Sequence, residues 1–324
     1  PYMPNSAPEN KKAMLDELGI NSVEDIYKSI IPDELLYKER LDIPEPIRSE
    51  YELKRHVMGI LNRDITTEEY TSFLGAGCYK HQVPAICDEI NSRGEFLTAY
   101  CGDTYSDHGK MQAIFEYTSM MGELLDTDVV SYTTYDGGQA VASSLRMAVR
   151  AVREKGMAGK VILVPKTMNP EIYSQVVQYC RNVAEVRKIA YEPETGLMDL
   201  EELKEQLAKK NVAAVFFENP TYLGNFETRG EEIAKLAHDA GAYCVVQTEV
   251  AALGIMESPV NQGADIVCGD IQPLGMHIQF GGGQAGFIAC NQNMDLVEQF
   301  PTYMYGITET EKEDTYGWGR AMNY

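Results

Sequence analysis

Polar side chains able to do chemistry gather in four stretches of this sequence. The first, Tyr100, Tyr105 and His108, sits in and beside the run CGDTYSDHGK, where polar groups can line a channel. A histidine, with an unperturbed pKa of about 6.5, could shuttle protons there, although a loop histidine is as readily just solvated or hydrogen-bonded. In the second, Tyr135-Asp136-Gly137-Gly138-Gln139, a strand-like run ends and a helical one opens. Backbone N–H groups at such a turn, with the positive end of the helix dipole, can hold a phosphate. Asp136 favours the plainer role, because a carboxylate serves well as an N-cap and repels a phosphate. The third, Asn219-Pro220-Thr221-Tyr222, follows a strand, and a turn signal accounts for Asn-Pro without any function. The fourth runs from Gly263 to Ala289, and its Gly281, Gly282 and Gly283 allow either close backbone approach to a ligand or a plain turn. No lysine occurs from Leu236 to Glu311, so this stretch offers no amine to capture a carbonyl group as a Schiff base.

Composition narrows the chemistry further. The formal net charge of −21 argues against nucleic acid, whose binding rests on clustered Lys and Arg neutralising phosphates. Five dispersed histidines, with no H-x-x-x-H pattern and no Cys/His cluster, give no metal-site spacing. Neither G-x-S-x-G nor G-x-x-x-x-G-K-[ST] occurs, so nothing supports a hydrolase or a P-loop NTPase. Seven scattered cysteines, several in apolar runs such as AYCVVQ and DIVCGD, read as reduced buried thiols. The start of the chain lacks the apolar region of a signal peptide, and no apolar run approaches the roughly 18 residues of a membrane span. A cytoplasmic protein without a membrane partner is expected.

These side chains must be positioned by two kinds of element. Residues 1–70 are charged, with helices predicted at Asn10–Leu18, Ser22–Ser29 (SVED matching a capping box) and Glu50–Arg63, broken by Pro32, Pro44 and Pro46. This is a helical arm with little core of its own. From residue 71 to about 298 the pattern alternates between strand and helix. Strands are predicted at Val129–Thr134, Val161–Pro165, Val183–Ala190, Ala213–Glu218, Tyr243–Gln247 and Ile266–Cys268, with helices at 138–155, Glu171–Cys180, Asp199–Lys209 and Arg229–Ala240. Repeated βα units of this length predict an α/β fold with a mostly parallel sheet covered on both faces. Residues 299–324, rich in Tyr and Gly, read as the start of a truncated C-terminal domain.

Longer stretches carry a resemblance. FLGAGCYKHQVPAICDEINSRGEFLTAY, MQAIFEYTSMMGELLDTDVVSYTTYDGGQAVASSLRMA, ENPTYLGNFE, GADIVCGDIQPLG and FGGGQAGFIA follow one another along nearly the whole chain. Together with MLDELGI, SVEDIY and LDIPEP in the arm, they resemble the α-subunit (subunit 1) of the two-subunit glycine decarboxylase P-protein. The resemblance implies the fold of pyridoxal-phosphate (PLP) transferases of the aspartate-aminotransferase type I, here with a degenerate cofactor site. Leu274 falls about where the Schiff-base lysine would stand, and Gln247 where catalytic relatives place an Asp under the pyridinium nitrogen.

The same resemblance implies an oxidoreductase subunit of the glycine cleavage system, a glycine dehydrogenase (aminomethyl-transferring) not active alone. PLP would be bound mainly by a β-type subunit carrying the lysine, in an α2β2 assembly, and the aminomethyl group would pass to a lipoyl carrier, the H-protein. Asp136, Gly137, Asn219, Gly281, Gly282 and Gly283 become cofactor-proximal candidates, and Tyr100, Tyr105 and His108 substrate-channel candidates, with no catalytic residue on this chain alone and no metal. The family commonly has TPYQPEISQG where this chain reads CGDTYSDHGK, one residue shorter. That departure leaves open a paralogue subunit for another amino acid; a second alternative, of a different class, is a non-catalytic scaffold for its partner.

Overall fold

The computed structural model describes residues 4–73, 79–94, 108–157, 159–281 and 283–321. The chain divides into two compact units, residues 1–70 and 71–324.

The first unit holds α1 (Pro8–Leu18), α2 (Glu24–Lys28) and α3 (Glu50–Leu61). Pro8 opens α1, where its missing N–H costs nothing, and Gly19 closes it in the left-handed region at φ 68°. The SVED box forms by half: the backbone N–H of Ser22 donates to Asp25 at 3.1 Å, but Val23 is the N-cap and no side chain caps it. Ser49 caps α3 by accepting from the N–H of Glu52. None of the three helices buries a residue.

The second unit begins with α4 (Ala85–Asn91) and α5 (His108–Leu125). Strands and helices then alternate: β1 (Val129–Val130), α6 (Gly137–Glu154), β2 (Val161–Pro165), α7 (Pro170–Cys180), β3 (Glu185–Ile189), α8 (Leu200–Leu207), β4 (Val212–Asn219), α9 (Gly230–Asp239), β5 (Tyr243–Thr248), β6 (Ile266–Asp270) and β7 (Gly286–Cys290). After α10 (Met294–Val297) come β8 (Met304–Glu309) and β9 (Tyr316–Ala321), an antiparallel pair.

The seven-stranded sheet has the order β1-β7-β6-β5-β4-β2-β3. β3, β2, β4, β5 and β6 run parallel, whereas β7 pairs antiparallel with both β6 and β1. The α/β fold with a mostly parallel sheet is as the alternation predicted. The period of two along each strand builds two cores. Ile162, Val164, Phe216, Val245, Ile266 and Ile288 pack under α6 and α7. Their neighbours Val161, Leu163, Val215, Phe217, Val246 and Phe287 pack under α5, α8 and α9. Every residue of β4, an interior strand next to the central β5, is buried.

The predicted strand Val129–Thr134 shrinks to β1 plus one isolated bridge from Thr134 to Gly286. Between them the Ser131 N–H donates to the Ile288 carbonyl at 2.8 Å while the Ser131 hydroxyl, in place of its carbonyl, accepts the Ile288 N–H at 3.2 Å, so one of the two ladder bonds is a side-chain bond. Cys180, Cys244, Cys268 and Cys290 are buried free thiols, and burial holds Cys268 up at about 12. Cys78 and Cys101 lie outside the described residues.

Candidate functional site

In an open parallel sheet, ligands bind outside the carboxyl ends of the strands, where no helix covers the crevice. Here β4, β5 and β6 end in polar residues after apolar runs: Glu218, Gln247 and Asp270. They border a cavity of about 710 Å³, together with the start of α6.

Carboxylates dominate its wall. Asp136, Glu171, Glu218, Glu249 and Asp270 line it, with no lysine or arginine among the described residues. Glu218 is 5% exposed. Burial raises its pKa to about 7, against the lowering effect of backbone hydrogen bonds from Asn169 and Tyr222. The Asn169 N–H reaches the two Glu218 oxygens at 3.2 and 3.3 Å, while the Asn169 side chain caps α7 by accepting from Glu171 at 2.9 Å. Burial also raises Glu249, with the Asp270 charge adding to it. Asp270 is raised by burial and by the Asp136 charge, and lowered by the hydrogen bonds it accepts. On the same wall, Gln247 Oε1 and His81 Nε2 are buried without a hydrogen-bond partner among the described residues, and burial lowers the pKa of His81.

The start of α6 is occupied by protein groups. Asp136 caps it, its Oδ1 accepting the Gln139 N–H at 2.6 Å. Gln139 reciprocates one residue outside the cap, accepting the Tyr135 N–H at 2.7 Å. The Gly137 N–H donates to Asp270 Oδ2 at 3.0 Å. A Cβ on Gly137 would stand 3.1 Å from both Asp270 Cβ and N, and one on Gly138 would meet the Gln175 amide at 2.6 Å. These glycines therefore let Asp270 and Gln175 close over the helix end.

The structure brings Asp136 and Gly137 to the cavity wall. The side chain of Asn219 points elsewhere, accepting the Glu227 N–H at 3.2 Å and donating to the Glu227 carbonyl at 3.4 Å; Pro220, joined to it by a cis peptide, lines the cavity instead. Leu274 is 50% exposed in the short turn 272–274 and is not part of the wall. Gly281, at φ 86°, makes a turn, and Gly283 packs so closely that a Cβ would lie 2.6 Å from the His277 carbonyl. Gly282, Tyr100 and Tyr105 lie outside the described residues. His108 begins α5. Glu218, Glu249 and Asp270 are site residues the sequence did not single out, although each follows an apolar strand run, in VFFEN, VVQTE and IVCGD.

A larger cavity of about 830 Å³ lies between Tyr132, Tyr135 and the segment 298–303. Its one arginine, Arg150, is committed to the Gln299 side chain at 2.8 Å and to the Gln299 carbonyl. Its lining shares no residue with that of the strand-end cavity. Among the described residues, no group of three or more His, Cys, Asp or Glu could hold a metal ion, and no helix is long and apolar enough to cross a membrane.

PLP needs an amine for its aldehyde, N–H donors or cations for its phosphate, and commonly an acid for its ring nitrogen. Among the described residues the strand-end cavity offers no lysine, it sets carboxylates on the helix N–H groups, and Gln247 on its wall is an amide and not an acid. The residues present do not fit the cofactor.

Comparison with known proteins gives the lineage of this site. The family model for the glycine cleavage system P-protein matches residues 2–318. A Pyrococcus horikoshii protein named probable glycine dehydrogenase (decarboxylating) subunit 1 is 38% identical over 310 residues, 95% of this chain and 67% of that protein. Its Carboxydothermus hydrogenoformans namesake is 37% identical over 98% of this chain and 68% of its own length. The chain thus spans about two thirds of these relatives. Among solved structures, an inhibitor-bound glycine decarboxylase (P-protein) of the glycine cleavage system superposes with a TM-score of 0.84 at 31% identity, over 99% of this chain and 69% of that one. A Burkholderia pseudomallei sphingosine-1-phosphate lyase shares the fold alone, with a TM-score of 0.58 at 13% identity over 90% of this chain and 68% of that one. The sheet order and these neighbours establish the fold of type I PLP-dependent enzymes, and the resemblance read from the residues holds over almost the whole sequence. With a family match across 2–318 and relatives above 30% identity along their shared length, the chain belongs to the glycine cleavage system P-protein family.

Proposed function

We propose that this chain is the α-type, lysine-free subunit of a heteromeric glycine decarboxylase of the glycine cleavage system. A β-type partner carries the Schiff-base lysine and holds PLP, in an α2β2 assembly, and the aminomethyl group derived from glycine passes to the lipoyl carrier H-protein. The decarboxylation chemistry is then the cofactor's and belongs to the partner, while this chain shapes the shared site. The observation that carries this reading is the strand-end cavity, which has the place of a cofactor site in the fold but five carboxylates and no lysine or arginine on its described wall.

Other features support it. Relatives at 37–38% identity are themselves named as one numbered subunit. In residues 4–70, α1, α2 and α3 bury nothing, and large apolar side chains such as Ile30, Leu35, Tyr51 and Ile65 are 70–72% exposed. A surface of that kind suits contact with another chain. On this reading residues 1–70 are a helical arm, 71–298 the large α/β domain and 299–324 a separate segment after it. Tyr100, Tyr105 and His108 are the substrate-channel candidates of the shared site, and the protein is cytoplasmic.

Borohydride reduction of the complex from its native source, followed by peptide mapping of the pyridoxyl-lysine, tests the assignment. A label on a co-purifying second chain is expected. A label on any lysine of this chain would overturn the reading. Glycine-dependent CO2 release by the reconstituted complex checks the substrate.

A further inference from the structure

The start of an 18-residue helix is an anion seat, because its first N–H groups lack intrahelical partners and the helix dipole adds a positive potential. In α6 the protein itself fills that seat. Asp270 lies 133 positions from Gly137 in sequence, yet its Oδ2 accepts the Gly137 N–H at 3.0 Å. Its Oδ1 accepts the Gln272 N–H at 2.7 Å, and the Ala285 backbone contributes a further hydrogen bond. One carboxylate thereby gathers N–H groups from the start of α6, the turn after β6 and the approach to β7. The absence of a side chain on Gly137 allows this approach, since a Cβ there would press on Asp270 at 3.1 Å. Asp136 takes the Gln139 N–H, so a second carboxylate guards the same helix end.

We propose that Asp270 is a resident anion: its carboxylate occupies the anion seat of α6 and closes this chain's cavity to phosphorylated ligands, PLP included. This deepens the reading of the chain as the subunit that does not hold the cofactor, and rests on it. It also goes beyond the missing lysine. Restoring an amine would leave the phosphate facing Asp136 and Asp270 across N–H groups already satisfied. The carboxylate has a structural use as well, tying strand end, turn and helix together without a ligand.

Rescue by added anion tests the idea on the full chain. The unfolding midpoint is measured for wild type, Asp270→Ala and Asp270→Ser, with inorganic phosphate titrated against chloride at constant ionic strength. Wild type should not respond to phosphate beyond the chloride control. Asp270→Ala should unfold at lower temperature and recover saturably with phosphate, by about 2–4 °C. Asp270→Ser is smaller than aspartate and neutral, keeps one hydroxyl, and should behave alike; it carries the test if the alanine variant does not fold. Saturable stabilisation of wild type by phosphate would overturn the proposal, as would variants that respond no more than wild type, or a failure of both to fold even in phosphate. The subunit assignment fails on a different readout, a pyridoxyl label on a lysine of this chain, so the two failures are distinguishable.

Discussion

Replacing Glu218 by glutamine should stabilise the protein at alkaline pH and leave it unchanged in mild acid. Glu218 is 5% exposed, and burial moves its carboxyl from an ordinary 4.5 to about 7. In the unfolded chain it titrates near 4.5, so between pH 4.5 and 7 the folded state holds a proton that the unfolded state has released. By linkage, stability falls as pH rises through that window, and well above pH 7 the loss reaches about 3 kcal/mol. Glutamine has nothing to titrate, and its carbonyl can still accept the Asn169 N–H that Glu218 receives at 3.2 Å. Urea unfolding of Glu218→Gln and wild type at pH 5 and pH 8 reads the effect as a difference, which cancels the titration of Glu249 and Asp270. The variant should match wild type within about 1 kcal/mol at pH 5 and exceed it by about 3 kcal/mol at pH 8. A variant weaker than wild type at pH 8, or a difference that does not change with pH, would show that Glu218 remains ionised and well solvated, refuting the burial argument.

Three further outcomes follow from local geometry. Asp136→Ala removes the acceptor of the Gln139 N–H and should cost about 1 kcal/mol, whereas Asp136→Asn keeps the cap and should stay near wild type in thermal melts. Arg229→Ala leaves Glu227, whose side chain is 2% exposed, without its cation, and should cost about 3–5 kcal/mol in denaturant; a loss under about 1 kcal/mol would mean that the pair contributes little to the fold. Leu274→Lys should not yield a Schiff-base absorbance when PLP is added to this subunit, because residue 274 is off the cavity wall; a stable, reducible adduct mapped to residue 274 would contradict that placement.

Much of this protein is legible along the chain. A lysine either occurs between Leu236 and Glu311 or it does not, and its absence bears directly on whether the chain can form a Schiff base there. The parallel α/β class follows from the alternation of apolar runs and amphipathic helices, which is a local pattern. The capping role of Asp136 is local too, set by a short polar side chain two residues ahead of Gly138 at the start of a helical run. Tertiary structure alone decides what meets at the strand ends. The order β1-β7-β6-β5-β4-β2-β3 sets Asp270 against Gly137, and Glu218 and Gln247 beside them, although these residues are tens to more than a hundred positions apart in sequence. Nothing local shows that Asn219 turns to Glu227, that Leu274 faces solvent, or that Glu218 is buried deeply enough to hold a proton near neutrality. Spacing in sequence fixes which face of its own element a side chain occupies; which charges share a cavity, and so whether that cavity accepts a phosphate, depends on strand order and on the burial it creates.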